Sequence, residues 1–282
     1  MPDVFHIRPM TPDDVPLGMR LKQQAGWNQL PADWLRLLAL APGGCFVAES
    51  GNRPVGTTCV TVFDRVGWIS MVLVDEQARG RGIGTRLMQH ALDHLARQGV
   101  RTVRLDATAL GRPVYEKLGF AAEYEVARWE GQAAGCRSSP RIEAATESHL
   151  AAVAELDRLA TATDRSRLIE RLYRERPEAL RVVAEGGRLL GFSYVRLGSR
   201  ACEIGPVVAR DEPTGCELLD AAIGDSAGDR VLVDVPVPNE PATRWARGRG
   251  LAIQRQFIRM VRGEPVADAP RTIWASFGPE KG

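Results

Sequence analysis

Arg79-Gly80-Arg81-Gly82-Ile83-Gly84 places three glycines and two arginines between two ordered-looking stretches. Before it runs Ile69-Ser70-Met71-Val72-Leu73-Val74, apolar and partly β-branched, which predicts a buried strand. After it, Gly84, Leu87, Met88, Ala91 and Leu95 fall on one helical face, and Gln98-Gly99 closes the pattern with a C-terminal glycine. The loop therefore opens a helix. Unsatisfied backbone N–H groups and the positive dipole end favour an anion there. Glycines let the backbone come close to it, and Arg79 and Arg81 add charge for the same ligand. The chemistry this suits is the holding of a phosphate. A Walker loop needs G-x-x-x-x-G-K-[ST], and the chain contains no Lys-Ser or Lys-Thr. A dinucleotide fingerprint needs G-x-G-x-x-G, whereas this loop reads G-x-G-x-G. Asp106, ending the next β-rich run, stands near where a ribose-binding acid would lie, so a nucleotide-binding oxidoreductase stays open as an alternative.

A second cluster follows at Tyr115-Glu116-Lys117-Leu118-Gly119-Phe120. Taken in order, Val74-Asp75, Arg79-x-x-Gly82-x-Gly84 and Tyr115-x-x-x-Gly119-Phe120 resemble the GNAT acetyltransferase superfamily, most strongly from about Val47 to Phe120. The resemblance implies acetyl-CoA as cosubstrate, no metal, and direct attack of an amine on the thioester. It implies that Val72, Leu73 and Val74 lie along the pantetheine arm, with the backbone of Val72 and Val74 pairing with it. It assigns the pyrophosphate to Arg79, Gly80, Arg81, Gly82, Ile83 and Gly84. Thr108 stands where an Asn often touches the cofactor. Tyr115 matches the general acid that protonates the leaving thiolate. With reference pKa values of about 10 and 8.5, that transfer is uphill by roughly 2 kcal/mol. Asp106 is the first acidic candidate for a general base, with a hydrogen-bonded turn residue as the competing reading. Gly26-Trp27-Asn28-Gln29 interrupts a helical region that lines the acceptor pocket in the family, so Trp27 and Asn28 are candidate substrate contacts. A non-catalytic acyl-CoA sensor would carry the same cofactor residues.

The elements that must position these residues are written twice. Phe46-Val47-Ala48-Glu49, a turn and Val55-Gly56 recur as Val182-Val183-Ala184-Glu185, a turn and Leu190-Gly191. Ile7 and Thr11 match Ile142 and Thr146, and Gly119-Phe120 matches Gly250-Leu251. Each copy reads as strand, helical region, hairpin, strand, helix, strand, helix, strand. The expectation is an α/β protein with two tandem GNAT-like domains, each a mixed, largely antiparallel sheet with helices on both faces. Residues 1–130 form the catalytic domain, 131–140 a Gly/Ser/Pro-rich linker, 141–263 a degenerate domain and 264–282 a tail. Trp274 and Phe277 argue that this tail docks.

The second copy has lost the phosphate loop. Ala209 to Leu218 keeps one glycine, and Asp211, Glu212 and Glu217 would repel a pyrophosphate. The position matching Tyr115 falls on Ala246. Chemistry is therefore expected in the N-terminal half alone. A net charge of +2 gives no bulk field for a polyanion, so nucleic acid is not expected as a partner. No secretory pattern begins at Met1-Pro2-Asp3, and no apolar run approaches a membrane span. Cys45, Cys59, Cys136, Cys202 and Cys216 are scattered and read as free thiols of a reducing cytoplasm. His90 and His94 share a helix face but have no third ligand suggested nearby, so they read as packed or solvated. The expected partner is a small-molecule or peptide amine, bound by a monomer (an internal pseudo-dimer) or a homodimer.

Overall fold

The computed structural model describes residues 5–135 and 139–282; Met1-Pro2-Asp3, Cys136 and Ser138 lie outside the described residues. The first half runs β1 (Phe5–Pro9), α1 (Val15–Gln24), α2 (Pro31–Leu40), β2 (Cys45–Ser50), β3 (Arg53–Phe63), β4 (Val66–Val74), α3 (Ile83–Arg97), β5 (Thr102–Ala107), α4 (Arg112–Lys117) and β6 (Ala121–Gln132). The second repeats that order as β7 (Ile142–Ala144), α5 (Leu150–Thr161), α6 (Ser166–Glu175), β8 (Leu180–Glu185), β9 (Arg188–Arg196), β10 (Cys202–Ala209), α7 (Glu212–Asp225), β11 (Arg230–Pro236), α8 (Glu240–Gly248) and β12 (Ala252–Arg262). A last strand, β13 (Ile273–Ala275), belongs to the tail.

Both halves share one sheet, in the order β1-β2-β3-β4-β5-β12-β6-β11-β10-β9-β8-β7. Within this sheet the closing strands are exchanged between the halves. β12 of the second half pairs antiparallel with β5, and β6 of the first half pairs antiparallel with β11. β6 and β12 then pair with each other from Glu130↔Ala252 to Ala121↔Val261, which makes the centre of the sheet. Nothing in the repeat favours pairing within a copy over pairing across copies, since both use the same β-branched pattern.

Helices cover both faces. The α3 side packs Met88, Ala91, Leu92 and Leu95 against Ile69, Val103 and Leu105, as the sequence periodicity requires. The α1/α2 side packs Leu21, Trp34 and Leu37 against Val47, Cys59 and Met71. α5 and α6 continue this second layer over the other half, and their core takes in Phe63 and Trp68 of the first. His90 and His94 rest edge-on against the Phe46 ring, and burial lowers the pKa of both. Cys45, Cys59, Cys202 and Cys216 are free thiols. Among the described residues no helix is long and apolar enough to cross a membrane.

Candidate active site

The site begins at a defect in β4. From Thr57 to Cys59 the partner strand takes two steps, while β4 takes three, from Leu73 to Ser70. The extra residue makes a bulge, and Met71 sits in the left-handed region with φ 52°. β4 pairs with β5 only from Val66 to Trp68, and beyond the bulge the two strands part. The Asp75 N–H donates to Val55 O on the β3 side. Strand alternation then turns the polar groups of Val72 and Val74 to the open side, and Arg79 Nε reaches Val74 O there. Leu73 turns the other way: its backbone pairs with Thr57 and its side chain enters the α1/α2 core.

The open edge leads to the start of α3. Gly82 is the N-cap at φ 79°, and a Cβ there would meet nothing within 4 Å. Gly80, at φ 77°, faces equally open space. No side chain caps α3, so its first-turn N–H groups point outward without a side-chain acceptor. Such a turn is suited to an anion. A cleft follows this path, past Val72, Val74, Arg79, Gly80, Gly82, Ile83 and Gly84. A second, inner cavity shares the Tyr115 wall. Trp27, Val72, Thr108, Tyr115 and Arg255 line both. Thr108 Oγ1 accepts from Gly111 N at 3.3 Å, and the Tyr115 ring lies over Gly111. Burial pushes the Tyr115 phenol up to about 12, so it keeps its proton at neutral pH.

A strand edge for an amide-bearing arm, an anion cradle at its end and a retained phenol proton at its start together suit an acyl carrier with a pyrophosphate. Residues 16–120 match the Acetyltransferase (GNAT) family, and residues 153–275 match an Acetyltransferase (GNAT) domain. The chain belongs to the GNAT family of N-acetyltransferases. It is 24% identical over 228 residues to YitH of Bacillus subtilis, an uncharacterized N-acetyltransferase, covering 77% of each chain. It is 23% identical to the holothin acyltransferase of a Pseudoalteromonas species, covering 84% of this chain and 81% of that one. Among solved structures, a Pyrococcus horikoshii protein assigned provisionally as an acetyltransferase superposes with a TM-score of 0.85 at 24% identity, covering 99% of this chain and 96% of that one. A tandem GNAT protein of the clavulanic acid pathway superposes at 0.67 with 18% identity, covering 93% and 99%. These two likenesses bear on the fold. The family acts by acyl transfer, generally with acetyl-CoA as cosubstrate, to amine-bearing small molecules or peptides.

Within this GNAT frame, two sequence candidates take other roles. Asp106 borders the inner cavity, but both carboxylate oxygens accept from Arg259 at 2.9 Å and its side chain is 2% exposed. β12 brings Arg259 directly opposite it, so the strand exchange neutralises the candidate base. Asn28 is spent as a latch between the halves. Its Nδ2 donates to Ala201 O and Glu203 Oε2, and its Oδ1 accepts from the N–H groups of Arg200 and Ala201. Trp27, one residue earlier, does face the site. Sequence reasoning missed Gln29, Ser70, Arg255 and Glu280, which line the inner cavity. Gln29 belongs to the helix interruption already suspect for its Trp; Arg255 and Glu280 arrive from the second half and carry no local signal.

The second half shows the same splay, filled. β10 pairs with β11 only from Cys202 to Ile204, and its register slips before Val207. Into the opening comes β13, with Val207 opposite Ala275 and Val208 opposite Ile273. Trp274 lies so close to Gly215 that a Cβ there would come within 2.0 Å of its ring. Asp211 caps α7 by accepting from Thr214 N at 2.8 Å. The tail thus docks, and it does so where the first half keeps its cleft.

Proposed function

We propose that the protein transfers an acetyl group from acetyl-CoA, held between Val72 and Gly84, to a primary amine in the inner cavity. The observation that carries this is that the cleft and the inner cavity share a wall made by Trp27, Val72, Thr108, Tyr115 and Arg255. The open edge of β4 takes the amide arm, and the uncapped turn of Gly82, Ile83 and Gly84 takes the pyrophosphate, with Arg79 and Arg81 adjoining. When bound, the cofactor supplies an acyl thioester whose carbon–sulfur bond is exchanged for a carbon–nitrogen bond, the ammonium losing two protons, the sulfur taking one and water the other.

The chain's residues then divide as follows. The bulge at Met71 and Val72 offers backbone N–H to the developing oxyanion, a donor fixed before reaction. Tyr115 holds the proton destined for sulfur. Against an ordinary thiol near 8.5, a phenol near 12 makes that donation uphill by about 5 kcal/mol. With Asp106 tied to Arg259, no strong carboxylate base is required of an acceptor that enters as the neutral amine. An α-amino group with a pKa near ~8 is about a tenth neutral at pH 7. The filled slot beside β10 and the capped α7 support one cofactor site per chain.

The test is thiol release across an amine panel, with Tyr115→Phe as control. Turnover that falls with Tyr115→Phe while acetyl-CoA affinity holds supports the assignment. Full turnover by that variant removes Tyr115 from the chemistry. Cofactor binding with no turnover on any amine would make the protein a sensor instead.

A further inference from the structure

The inner cavity carries an unusual set of unspent polar atoms. Gln29 Oε1, Ser70 Oγ and Glu280 Oε2 are buried and have no hydrogen-bond partner. Their residues come from three separate elements, the α1–α2 connection, β4 and the tail, yet line one cavity. Buried polar atoms left without partners are uncommon and call for an explanation. All three can accept a hydrogen bond, and Gln29 Oε1 and an ionised Glu280 can only accept. Glu280 Oε1 is taken by Arg196 Nη2 at 2.8 Å, which leaves Oε2. The Trp68 Nε1–H donates to Pro279 O and so fixes the tail on the face from which Ser70 projects.

The same cavity is also lined by Arg255 on β12. It also lines the cofactor cleft, with Trp27 beside it in both. Its cross-strand neighbour is Arg128, and like charges directly opposite destabilise a sheet. Arg128 is neutralised by Asp234, whose two oxygens accept from it at 2.6 Å. No carboxylate pairs with Arg255 among the described residues, and burial together with Arg128 and Arg200 lowers its pKa. A half-buried guanidinium kept against that repulsion suits an anion brought by a ligand, for which its planar fork is shaped.

We infer that the acceptor is a compact amine that also carries a carboxylate, an amino-acid-like molecule whose amine meets Gln29, Ser70 and Glu280 and whose carboxylate pairs with Arg255. This rests on the acetyl-transfer reading of the site and names its substrate class. Two of these acceptors can take the N–H bonds of the neutral amine, which leaves its lone pair free. Arg255 is thereby a specificity residue supplied by the half that has lost its own cleft.

The experiment compares matched pairs, an amino acid and its decarboxylated amine, such as β-alanine with ethylamine and lysine with cadaverine. Thiol release is read for the wild type, Arg255→Gln and Arg255→Lys, and acetyl-CoA binding is measured by calorimetry on each. The wild type is expected to favour the carboxylate-bearing member by at least about tenfold in kcat/KM, as loss of a charged hydrogen-bond partner implies. Arg255→Gln should collapse that ratio through KM, and Arg255→Lys should restore part of it, with acetyl-CoA affinity unchanged in both. Ser70→Ala should lower kcat/KM for both members alike. A wild type with no preference, a ratio untouched by Arg255→Gln, or acetyl-CoA affinity lost with Arg255 would each overturn the inference. So would a protein that binds acetyl-CoA yet acetylates no carboxylate-bearing amine. Failure to bind acetyl-CoA at all would instead bring down the cofactor reading, and the inference with it.

Discussion

Gly111→Ala is a sharp probe of Tyr115, because ordinary reasoning about glycine predicts the opposite result. Gly111 has φ −81° and ψ −31°, a helical conformation that alanine adopts without strain. By unfolded-state entropy alone the substitution should stabilise by about 0.4–1 kcal/mol. The added Cβ, however, would stand 2.8 Å from Tyr115 Cε2 and 3.1 Å from its hydroxyl. Restoring an ordinary carbon–carbon contact moves the ring by roughly 0.7–1.2 Å. A displacement of about 1 Å in a reacting group costs on the order of a hundredfold in rate. The expected phenotype is thus kcat down by about 10–100-fold, with melting temperature and acetyl-CoA affinity near wild type. Steady-state thiol release and calorimetric titration read both quantities. The two changes should also be non-additive: in a Tyr115→Phe background, Gly111→Ala should add little, since both act through one hydroxyl. A Gly111→Ala enzyme with wild-type kcat would refute the positioning of Tyr115 argued here.

Three further outcomes are expected. Gly82→Ala places a Cβ in a left-handed conformation costing about 1–2 kcal/mol, so acetyl-CoA should bind about tenfold more weakly by calorimetry, and an affinity within twofold of wild type would count against the cradle. Trp274→Ala should cost about 3–5 kcal/mol of stability, read as a fall of roughly 6–20 °C in melting temperature. It should still leave one cofactor per chain because Asp211 keeps the α7 N-terminus closed, and a second equivalent site would contradict that. Asp33 contributes to acid stability. Burial alone would raise its pKa, but Arg196, Lys281 and Arg36 outweigh that and hold it at about 2. A depressed carboxylate stabilises the fold above its ordinary value and loses that contribution as pH falls through the folded one. Roughly 2 kcal/mol should therefore disappear between about pH 5 and pH 2. Denaturant titrations at those pH values should show Asp33→Asn flattening the loss.

What the sequence displays depends on how local its cause is. The left-handed turn at Gly80 and Gly82 was legible because such a turn before an amphipathic helix leaves its mark within a few residues. The repeat was legible for the same reason, each element restating its own periodicity. The fate of Asp106 was not. Its chemistry is set by Arg259, 153 residues away in sequence, and no pattern around Asp106 announces a partner supplied by strand exchange. Asn28 misled for a related reason: a polar residue in a helix interruption serves equally as a ligand contact or as a latch, and only the loop at Arg200 and Ala201 decides.

The exchange also gives the second half a part in the cavities of the first. A first half that closed its own sheet would set β6 beside β5, and Arg255, Arg259 and Glu280 would have no route to the cavity. With β12 inserted instead, the second half delivers Arg259 to Asp106 and Arg255 to the junction of the two cavities. Its tail first fills the slot beside β10 with Ile273 to Ala275 and then carries Glu280 to the inner wall. The tail can reach that wall only because the second cleft lies open for β13 to enter. Filling of the slot beside β10 and delivery of Glu280 to the inner cavity are therefore two consequences of one tail placement.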